Sequence, residues 1–226
     1  MKKIINLVIS LSIATAISAQ FKGGIHTGVD FNTLHVSDLG KDLNEEIKYF
    51  NSARIGIHGE YKMNDKLSIK SELNHTQNGF RMSEGTSAKI LSQSIPIGVE
   101  ATTHLNYIEV PLLLKYSFGN KRLSYYAEAG PSASYGINGK IKSQATALLD
   151  FNLPEVNINF SDDPYRRVLV GANAGMGLSY QVKDDLDITA TMRYTGSLTN
   201  LIQDQVIDLS VKSNTIHLGV GLSKSF

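Results

Sequence analysis

The chain contains no cysteine and no tryptophan among its 226 residues, and its formal net charge at pH 7 is only +1. Without cysteine, no disulfide stabilises the fold, and a lipid anchor on an N-terminal cysteine is excluded. The nearly neutral charge argues against a nucleic-acid partner, because an excess of basic residues holds such partners. After the N-terminus no segment is apolar over 18 residues, so a transmembrane helix is not expected there. A large continuous architecture must therefore hold the chain together.

The first 19 residues have the three parts of a secretory signal peptide. Lys2 and Lys3 form a short basic start, a mainly apolar stretch covers residues 4–17, and small residues surround a cleavage position after Ala19. Cleavage after Ala16 is the alternative position. A transmembrane anchor is the competing interpretation, but the apolar stretch is shorter than the ~20 residues that a span needs. We therefore expect residues 1–19 to be removed on export and residues 20–226 to form one domain.

Apolar residues recur with a period of two through most of the chain. In HLNYIEVPLLLKYSF, the alternate residues from Ile108 to Phe118 are all apolar, whereas the other set contains Glu109 and Lys115. This is strand periodicity, and a helix would have to hold Pro111 in its interior. Seven further segments alternate similarly: residues 21–34, 55–63, 67–74, 123–130, 168–182, 186–194 and 215–222. The pattern predicts eight strands.

The connections between these strands alternate in length. Three are tight turns, at residues 64–66, 119–122 and 183–185, and four are long, at residues 35–53, 80–105, 139–167 and 195–213. Strands of ~9–11 residues joined by short turns at one end and long loops at the other are typical of outer-membrane barrels. The sequence thus predicts an all-β fold: an eight-stranded antiparallel up-and-down transmembrane β-barrel with short periplasmic turns, long external loops and both termini periplasmic. A soluble ligand-binding barrel is the alternative, and it would put apolar residues inside.

Aromatic residues fall near both predicted ends of the strands, as in the interfacial girdles of membrane barrels. The predicted periplasmic band consists of Phe21, Tyr61, Tyr116, Phe118, Tyr125, Tyr180 and Phe226. The predicted external band consists of Phe31, Tyr107, Tyr135 and Tyr194. The two bands support localisation in the cell outer membrane.

Four segments of the chain resemble PorT-like outer-membrane β-barrel proteins of Gram-negative bacteria: LNYIEVPLLLKYSF, YYAEAGPSASYGI, LVGANAGMGLSYQV and HLGVGLSKSF. NYIEVPLLLKY and AEAGP are the most specific parts, and the resemblance covers nearly all of residues 20–226. It implies an eight-stranded barrel domain. The named member of that family is associated with a dedicated protein-secretion system, so the resemblance also implies a secretion-associated role. At the family level, a terminal aromatic such as Phe226 serves as a signal to the barrel assembly machinery.

Hairpin geometry indicates which polar residues face each other inside the barrel. If residues 64–66 form a turn, Glu60 faces Lys70 and His58 faces Glu72. The predicted inward network consists of His58, Glu60, Lys70, Glu72, Lys115, Glu128 and Arg193. Inward glycines leave room for these long side chains. Because an eight-stranded barrel is just wide enough for side chains to fill, we expect the network to plug the lumen. A small solute pore is the alternative.

The next hairpin contains the proline of the opening segment. If its turn is centred on residues 120–121, Lys115 faces Tyr126 and lies diagonal to Glu128, and Pro111 faces Gly130. Pro111 cannot donate a hydrogen bond to the ladder, and Pro131 follows Gly130 on the facing strand. We therefore predict a bulge or a local opening of the sheet at this height.

A lipid-modifying enzyme of the outer membrane is the alternative in another functional class. His75 could approach Ser83 or Glu84, and His104 sits beside the next strand. No nucleophile motif accompanies these histidines, so we predict no catalytic residues and no enzyme activity. The acidic pair at residues 162–163 lacks further ligands at suitable spacing, so neither a metal site nor a cofactor is predicted.

The long external loops are the candidate binding surfaces. Loops held by a rigid scaffold often carry function. The third loop contains an apolar set that suits a partner surface: Leu148, Leu149, Phe151, Leu153, Val156, Ile158 and Phe160. We therefore expect a monomeric structural, binding or assembly component. Its expected partners are outer-membrane lipid, the barrel assembly machinery during insertion, and a protein at the external loops.

Overall fold

The computed structural model describes residues 20–36, 47–48, 50–90, 93–147, 149–160, 165–201 and 211–226. The predicted signal peptide, residues 1–19, lies outside the described residues. The described strands are β1 (Phe21–Val36), β2 (Ile47–Lys48), β3 (Phe50–Lys62), β4 (Leu67–Ile90), β5 (Gln93–Gly119), β6 (Leu123–Ala147), β7 (Leu149–Asn152), β8 (Val156–Ile158), β9 (Val168–Lys183), β10 (Leu186–Ser197) and β11 (Val211–Ser225).

Eight of these strands close into an antiparallel barrel. Each of the eight pairs with the next in chain order, which is β1, β3, β4, β5, β6, β9, β10 and β11. The last strand returns to the first, with Gly219 opposite Gly28. Closure leaves no free edge in the eight-stranded barrel wall, which matters in lipid because an unsatisfied backbone group there costs several kcal/mol. The predicted eight-stranded up-and-down barrel is confirmed. No helix in the described residues is long and apolar enough to cross a membrane.

The two faces of the barrel have opposite chemistry. Ile55 is 63% exposed on the outer face, whereas its neighbour Arg54 is 3% exposed in the lumen. The same alternation runs through β3 from Phe50 to Tyr61. Apolar residues therefore face outward and polar residues inward, as the sequence predicts for a membrane barrel. A soluble ligand-binding barrel would have the reverse arrangement.

Two short turns are built by asparagine side chains. The Asn64 carboxamide oxygen accepts hydrogen bonds from the backbone N–H groups of Lys66 and Leu67, at 2.9 and 2.8 Å. Asn120 accepts from Arg122 and Leu123 in the same way, at 3.1 and 2.8 Å. Asparagine favours turns because its side chain can hydrogen-bond to the backbone two or three residues on. These turns fall where the sequence predicts them.

Two of the predicted long loops are wrong over much of their length. Residues 80–105 belong mostly to a regular hairpin, in which β4 and β5 pair as far as Ile90 opposite Gln93. In the third loop, β6 continues to Ala147 and also pairs with β7 and β8. Residues 95–103 include isoleucine, valine and threonine, which favour strands.

The register between β5 and β6 differs from the prediction by two residues. Gly119 lies opposite Ser124, so Lys115 lies opposite Glu128 and not opposite Tyr126. The turn is centred one residue further along the chain than predicted, between residues 121 and 122, because Asn120 N–H donates to Leu123 O at 3.0 Å. Each residue of β5 therefore faces a partner two positions further along β6.

The predicted irregularity at Pro111 is present as a gap in the ladder. Pro111 lies opposite Ser132, not Gly130, and the next two register positions on β5 lack paired residues on β6. Pairing between β5 and β4 is also interrupted beside Pro111. The register is the same on both sides of the gap, so this is a local opening. A bulge occurs elsewhere, where the register shifts between Asn106 and Tyr107.

An apolar cluster fills the lumen at the end opposite the short turns. We call it the apolar cap, and its residues are Leu105, Tyr107, Ile158, Phe160, Leu169 and Leu201. The rings of Tyr107 and Phe160 meet edge to face with centroids 5.6 Å apart, and Tyr107 Oη donates to Arg166 O at 2.9 Å. Tyr107 is thus fully buried, and its assignment to the external aromatic band is wrong. Tyr107 lies two residues from Glu109 on β5, so it belongs to the same inward-facing set.

The remaining girdle residues mostly face outward. Those with the largest exposed fractions are Phe21, Tyr61, Tyr116, Phe118, Tyr125, Tyr135, Tyr180, Tyr194 and Phe226. Phe21 and Phe226 lie side by side at the short-turn end, with ring centroids 6.2 Å apart. The Phe226 N–H donates to Phe21 O at 3.1 Å, so the terminal residue is held to the first strand.

Candidate functional site

One group of buried charges in the lumen surrounds Arg193 of β10, which is 2% exposed. Its Nη1 and Nη2 atoms donate to the two Glu72 oxygens at 2.8 and 2.7 Å, and its Nε donates to Glu128 at 2.9 Å. Lys70 Nζ lies 2.7 Å from Glu72 and 3.4 Å from Glu128. We call these four residues the Arg193 cluster. Two cations and two carboxylates neutralise each other there and tie β4, β6 and β10 together.

A second ion pair lies nearer the short turns. Lys115 Nζ donates to Glu60 at 2.7 Å, and Ser68 Oγ donates to the other Glu60 oxygen at 2.7 Å. The Lys115 ammonium also lies 4.5 Å from the centroid of the Tyr126 ring. A further pair, Lys22 with Asp187, joins β1 to β10 at the same end. The Tyr126 ring fits in the lumen because the residue opposite it is Gly177. A Cβ added to Gly177 would lie 2.3 Å from the Tyr126 hydroxyl.

His58 has the predicted register but different side-chain contacts. It lies opposite Glu72 on β4, as the hairpin geometry predicts. Its ring, however, contacts Ser223 Oγ through Nε2 at 2.8 Å and His26 Nδ1 through Nδ1 at 3.3 Å. His26 is the histidine beside the carboxylate, with Nε2 3.7 Å from Glu72 and 2.7 Å from Asn74 Oδ1. The expected His58–Glu72 contact is therefore replaced by a His26–Glu72 contact.

The sequence analysis missed a second charged layer, which lies further from the short turns. Arg54 Nε donates to both Asp30 oxygens at 3.0 and 2.9 Å, and Arg54 Nη1 donates to Glu109 at 2.8 Å. His217 Nδ1 lies 2.7 Å from Asp30. All four residues are at most 3% exposed. We call them the Arg54 cluster.

Only part of this layer was visible in the sequence. Arg54 and Glu109 belong to inward-facing sets, but hairpin geometry could not join them to a partner. Asp30 lies on β1 and His217 on β11, the pair that closes the barrel. The register of a closing pair depends on the shear of the whole barrel and not on any single turn.

The structure brings the predicted inward residues together in the lumen. All seven are buried: His58, Glu60, Lys70, Glu72, Lys115, Glu128 and Arg193. Six of them form the two ion-pair groups described above, and His58 lies beside them. The arrangement fills the lumen cross-section and leaves little room for solvent.

Two small cavities remain between these layers. One of about 20 Å³ is lined by His26, His58 and Arg193 among others. The other, of about 40 Å³, lies between the Arg54 cluster and the apolar cap, with Leu169 in its wall. A single water needs about 10–15 Å³ of such volume, so each cavity holds only a few waters.

The residues considered for lipid chemistry do not converge. His75 and Ser83 lie on the same strand, β4, eight residues apart. At 3.3 Å per residue this is roughly 26 Å, far beyond hydrogen-bond reach. His75 also faces outward, whereas His104 packs edge to face against Phe50 with centroids 5.1 Å apart. His75 and Ser83 therefore do not form the histidine site considered as the enzyme alternative.

The described part of the chain contains no assembled metal-binding site. No group of three or more His, Cys, Asp or Glu side chains among the described residues is arranged to hold a metal ion. The acidic pair at residues 162–163 and the charged first loop, residues 37–46, lie outside the described residues.

The closed barrel, the apolar outer face and the charged lumen define an integral membrane barrel protein. Residues 15–203 match the family described as outer membrane protein beta-barrel domain, and the chain belongs to that family. It is therefore an outer membrane β-barrel protein. No curated protein matches the chain in sequence.

Several solved structures are similar to this chain. The Neisserial surface protein A is 14% identical, covering 92% of this chain and 97% of its own, with a TM-score of 0.47. Ail, the attachment invasion locus protein of Yersinia pestis, is 15% identical, covering 90% and 99%, with a TM-score of 0.40. The outer membrane protein OprG from Pseudomonas aeruginosa is 13% identical, covering 89% and 95%, with a TM-score of 0.43.

Proposed function

We propose that this protein is a non-conducting outer-membrane scaffold that binds or assembles with a partner. The partner is bound by the outer part of the β4–β5 hairpin, which we call the extension. The observation that carries the proposal is a filled lumen combined with a long protruding hairpin. The Arg193 cluster, the Arg54 cluster and the apolar cap are stacked along the barrel axis, which suits stability and not transport. The protein acts as a monomer, without catalysis or a cofactor, in contact with outer-membrane lipid.

The outer part of the β4–β5 hairpin projects beyond the barrel and takes no part in closing it. From Ile108, where the outward apolar face ends, β4 and β5 continue for about 15 residues, or roughly 50 Å at 3.3 Å per residue. We propose that this end is extracellular and that both termini and the short turns are periplasmic. Short periplasmic turns and longer extracellular elements are the rule in bacterial barrels.

The resemblance to PorT-like proteins supports a secretion-associated partner as the specific form of this proposal. In that form, the extension contacts a component of a secretion system, and Phe226 directs the barrel to the assembly machinery. The exposure of the Phe226 ring at the short-turn end is compatible with that role.

The filled lumen has a direct electrical consequence. The full chain, reconstituted in planar bilayers, is expected to show no open-pore steps, because neither cavity extends beyond a few water volumes. Discrete conductance steps that recur between preparations would contradict the filled-lumen part of the proposal and favour a small solute pore.

The extension can be removed without disturbing the apolar cap. A variant in which residues 83–100 are replaced by Asn-Gly keeps Met82 opposite Ala101 and makes a tight hairpin turn there. In crosslinked pull-downs from outer membranes, this variant is expected to lose partners that the full chain captures. Lys121→Ala, at the short-turn end, is the matched control and should retain them. An identical partner list for the hairpin variant and the full chain would count against the extension as the docking element.

A further inference from the structure

Three carboxamide side chains form a row across the outer face of the barrel, directly above its apolar band. Gln77 on β4 lies opposite Asn106 on β5, and Asn106 lies opposite Asn138 on β6. Gln77 Nε2 donates to Asn106 Oδ1 at 3.0 Å, and Asn106 Nδ2 donates to Asn138 Oδ1 at 2.7 Å. We call these three residues the amide row. Their mutual hydrogen bonds hold the three groups side by side on one surface.

The amide row can bind further polar groups. A carboxamide offers two N–H donors and an oxygen with two lone pairs. The row itself uses one donor of Gln77, one donor and the oxygen of Asn106, and the oxygen of Asn138. Asn138 is exposed, and its amino group takes no part in the row. A surface that carries adjacent donors and acceptors without charge matches sugar hydroxyls, since each hydroxyl also donates and accepts.

An apolar groove of about 620 Å³ lies on the outer face, within the apolar band. We call it the outer groove, and its exposed walls include Ile25, Ile55, Ile57, Leu73, Val220 and Leu222. Thr27 lies opposite both Ile55 and Val220, and its short side chain leaves space between them. The volume falls within the ~300–1,000 Å³ that is usual for ligand sites in proteins.

His75 joins the outer groove to the amide row. Its side chain is exposed on the outer face and borders the groove, opposite Ile55 on one side and Ile108 on the other. Gln77 follows on the same face of β4, two residues or roughly 7 Å further along the strand. The imidazole ring carries two nitrogens that can hydrogen-bond. In a lipid environment such a group favours a ligand that hydrogen-bonds to it over one that is purely apolar.

The order of these features along the barrel selects one kind of ligand. The outer groove suits an acyl chain, His75 suits an ester or hydroxyl group at the end of that chain, and the amide row suits an uncharged sugar. Tyr135 fixes the height of the junction, because it lies opposite Ile108 and is 52% exposed in the external aromatic band. Aromatic side chains of this kind mark the level where lipid headgroups begin. A phospholipid without a sugar would leave the amide row unused.

We propose that the outer groove and the amide row together bind one glycolipid of the outer leaflet. An acyl chain lies in the groove, His75 hydrogen-bonds to the group that joins this chain to the headgroup, and the amide row hydrogen-bonds to sugar hydroxyls. The inference rests on the proposed function for the leaflet, since the hairpin end must be extracellular. The recognition itself needs only the apolar groove and the three carboxamides, whichever way the barrel faces.

The test measures binding of lipid A and of phosphatidylethanolamine to the full chain by native mass spectrometry, in a detergent without sugar groups. Lipid A carries its acyl chains on a sugar headgroup, whereas phosphatidylethanolamine has no sugar. Asn106→Leu and Asn138→Leu are each expected to weaken lipid A binding about fivefold, the effect of one lost hydrogen bond. Neither variant should change phosphatidylethanolamine binding. Asn214→Leu is the matched control, because Asn214 lies two residues beyond the outward-facing Ile216 on β11, away from the row.

Filling the outer groove tests the other half of the site. Thr27→Phe places a ring between Ile55 and Val220 and is expected to weaken lipid A binding by about tenfold or more. Val29→Phe is the control, since Val29 is the next outward residue on β1 and does not line the groove. Heat-dependent gel migration checks that each variant is folded.

Unchanged lipid A binding in both leucine variants, or in Thr27→Phe, would overturn the proposal. Phosphatidylethanolamine that binds as tightly as lipid A would also overturn it, because the groove would then hold an acyl chain whatever its headgroup. Lipid A stripped of its phosphates should bind within about threefold of lipid A, and a larger loss would assign the recognition to phosphate instead. Binding in detergent does not depend on orientation, and the hairpin variant lacking residues 83–100 retains His75 and the amide row. The lipid test and the partner test therefore fail independently.

Discussion

Replacing Arg193 by methionine is expected to destabilise the barrel by about 3–5 kcal/mol, the usual cost of removing one partner from a buried charge network. The substitution would leave Glu72 and Glu128 facing each other's charge, with only Lys70 to neutralise both. Because all of these side chains are almost fully buried, water cannot replace the guanidinium. The free energy of unfolding in urea, measured on protein folded into lipid vesicles, checks the value.

Two comparison variants isolate the origin of this effect. Arg122→Met removes the same residue type at an exposed turn, where Arg122 stacks on Tyr180, and should cost less than about 1 kcal/mol. Combining Arg193→Met with Glu128→Gln should recover part of the loss, because Lys70 and Glu72, 2.7 Å apart, then neutralise each other. If Arg193→Met unfolds at the same urea concentration as the unaltered chain, the cluster does not stabilise the barrel.

Placing a methyl group on Gly130 is expected to cost about 3 kcal/mol, at the upper end of the range for overpacking. A Cβ there would lie 2.0 Å from Leu112 O and about 3 Å from two further backbone atoms of β5. Backbone atoms in a closed sheet cannot move aside as the tip of a side chain can. The site also lies at the gap beside Pro111, where the strands already lack paired residues. Urea unfolding of Gly130→Ala gives the measurement.

Gly23→Ala provides the matched control for the glycine prediction. Gly23 is also in a barrel strand, but its added Cβ would meet its closest neighbour, the Phe226 ring, at 3.4 Å. That is an ordinary contact, so the change should stay within about 0.5 kcal/mol. Equal losses for the two glycines would show that the close approach at Gly130 does not decide the cost.

The sequence predicted the parts of the lumen that single turns determine. Glu60 opposite Lys70 and His58 opposite Glu72 follow from one tight turn, and both pairs are present. The partner of Lys115 was predicted two residues out of register, as Tyr126 instead of Glu128, because the composition of a turn does not by itself give the residue at its centre. A shift of two residues leaves each side chain on the same face of the sheet, so Lys115 still points inward.

Other features required the closed sheet. The contact between Asp30 and Arg54, and that between Asp30 and His217, cross pairings that no tight turn determines. The apolar cap joins Leu105 on β5 to Leu201, nearly a hundred residues away in the chain. Arg81 and Lys142 likewise lie in one line across three strands only because both are opposite Thr102.

The sequence by itself determined the class of the protein, its eight-stranded barrel and the inward side of each strand. These depend on a period of two and on turn residues, which are local properties of the chain. The tertiary structure alone decided the Arg54 cluster, the apolar cap, and the continuation of β4 and β5 beyond the membrane band. Their residues are neighbours only because the barrel closes with one particular stagger, and that stagger is set by all eight strands together.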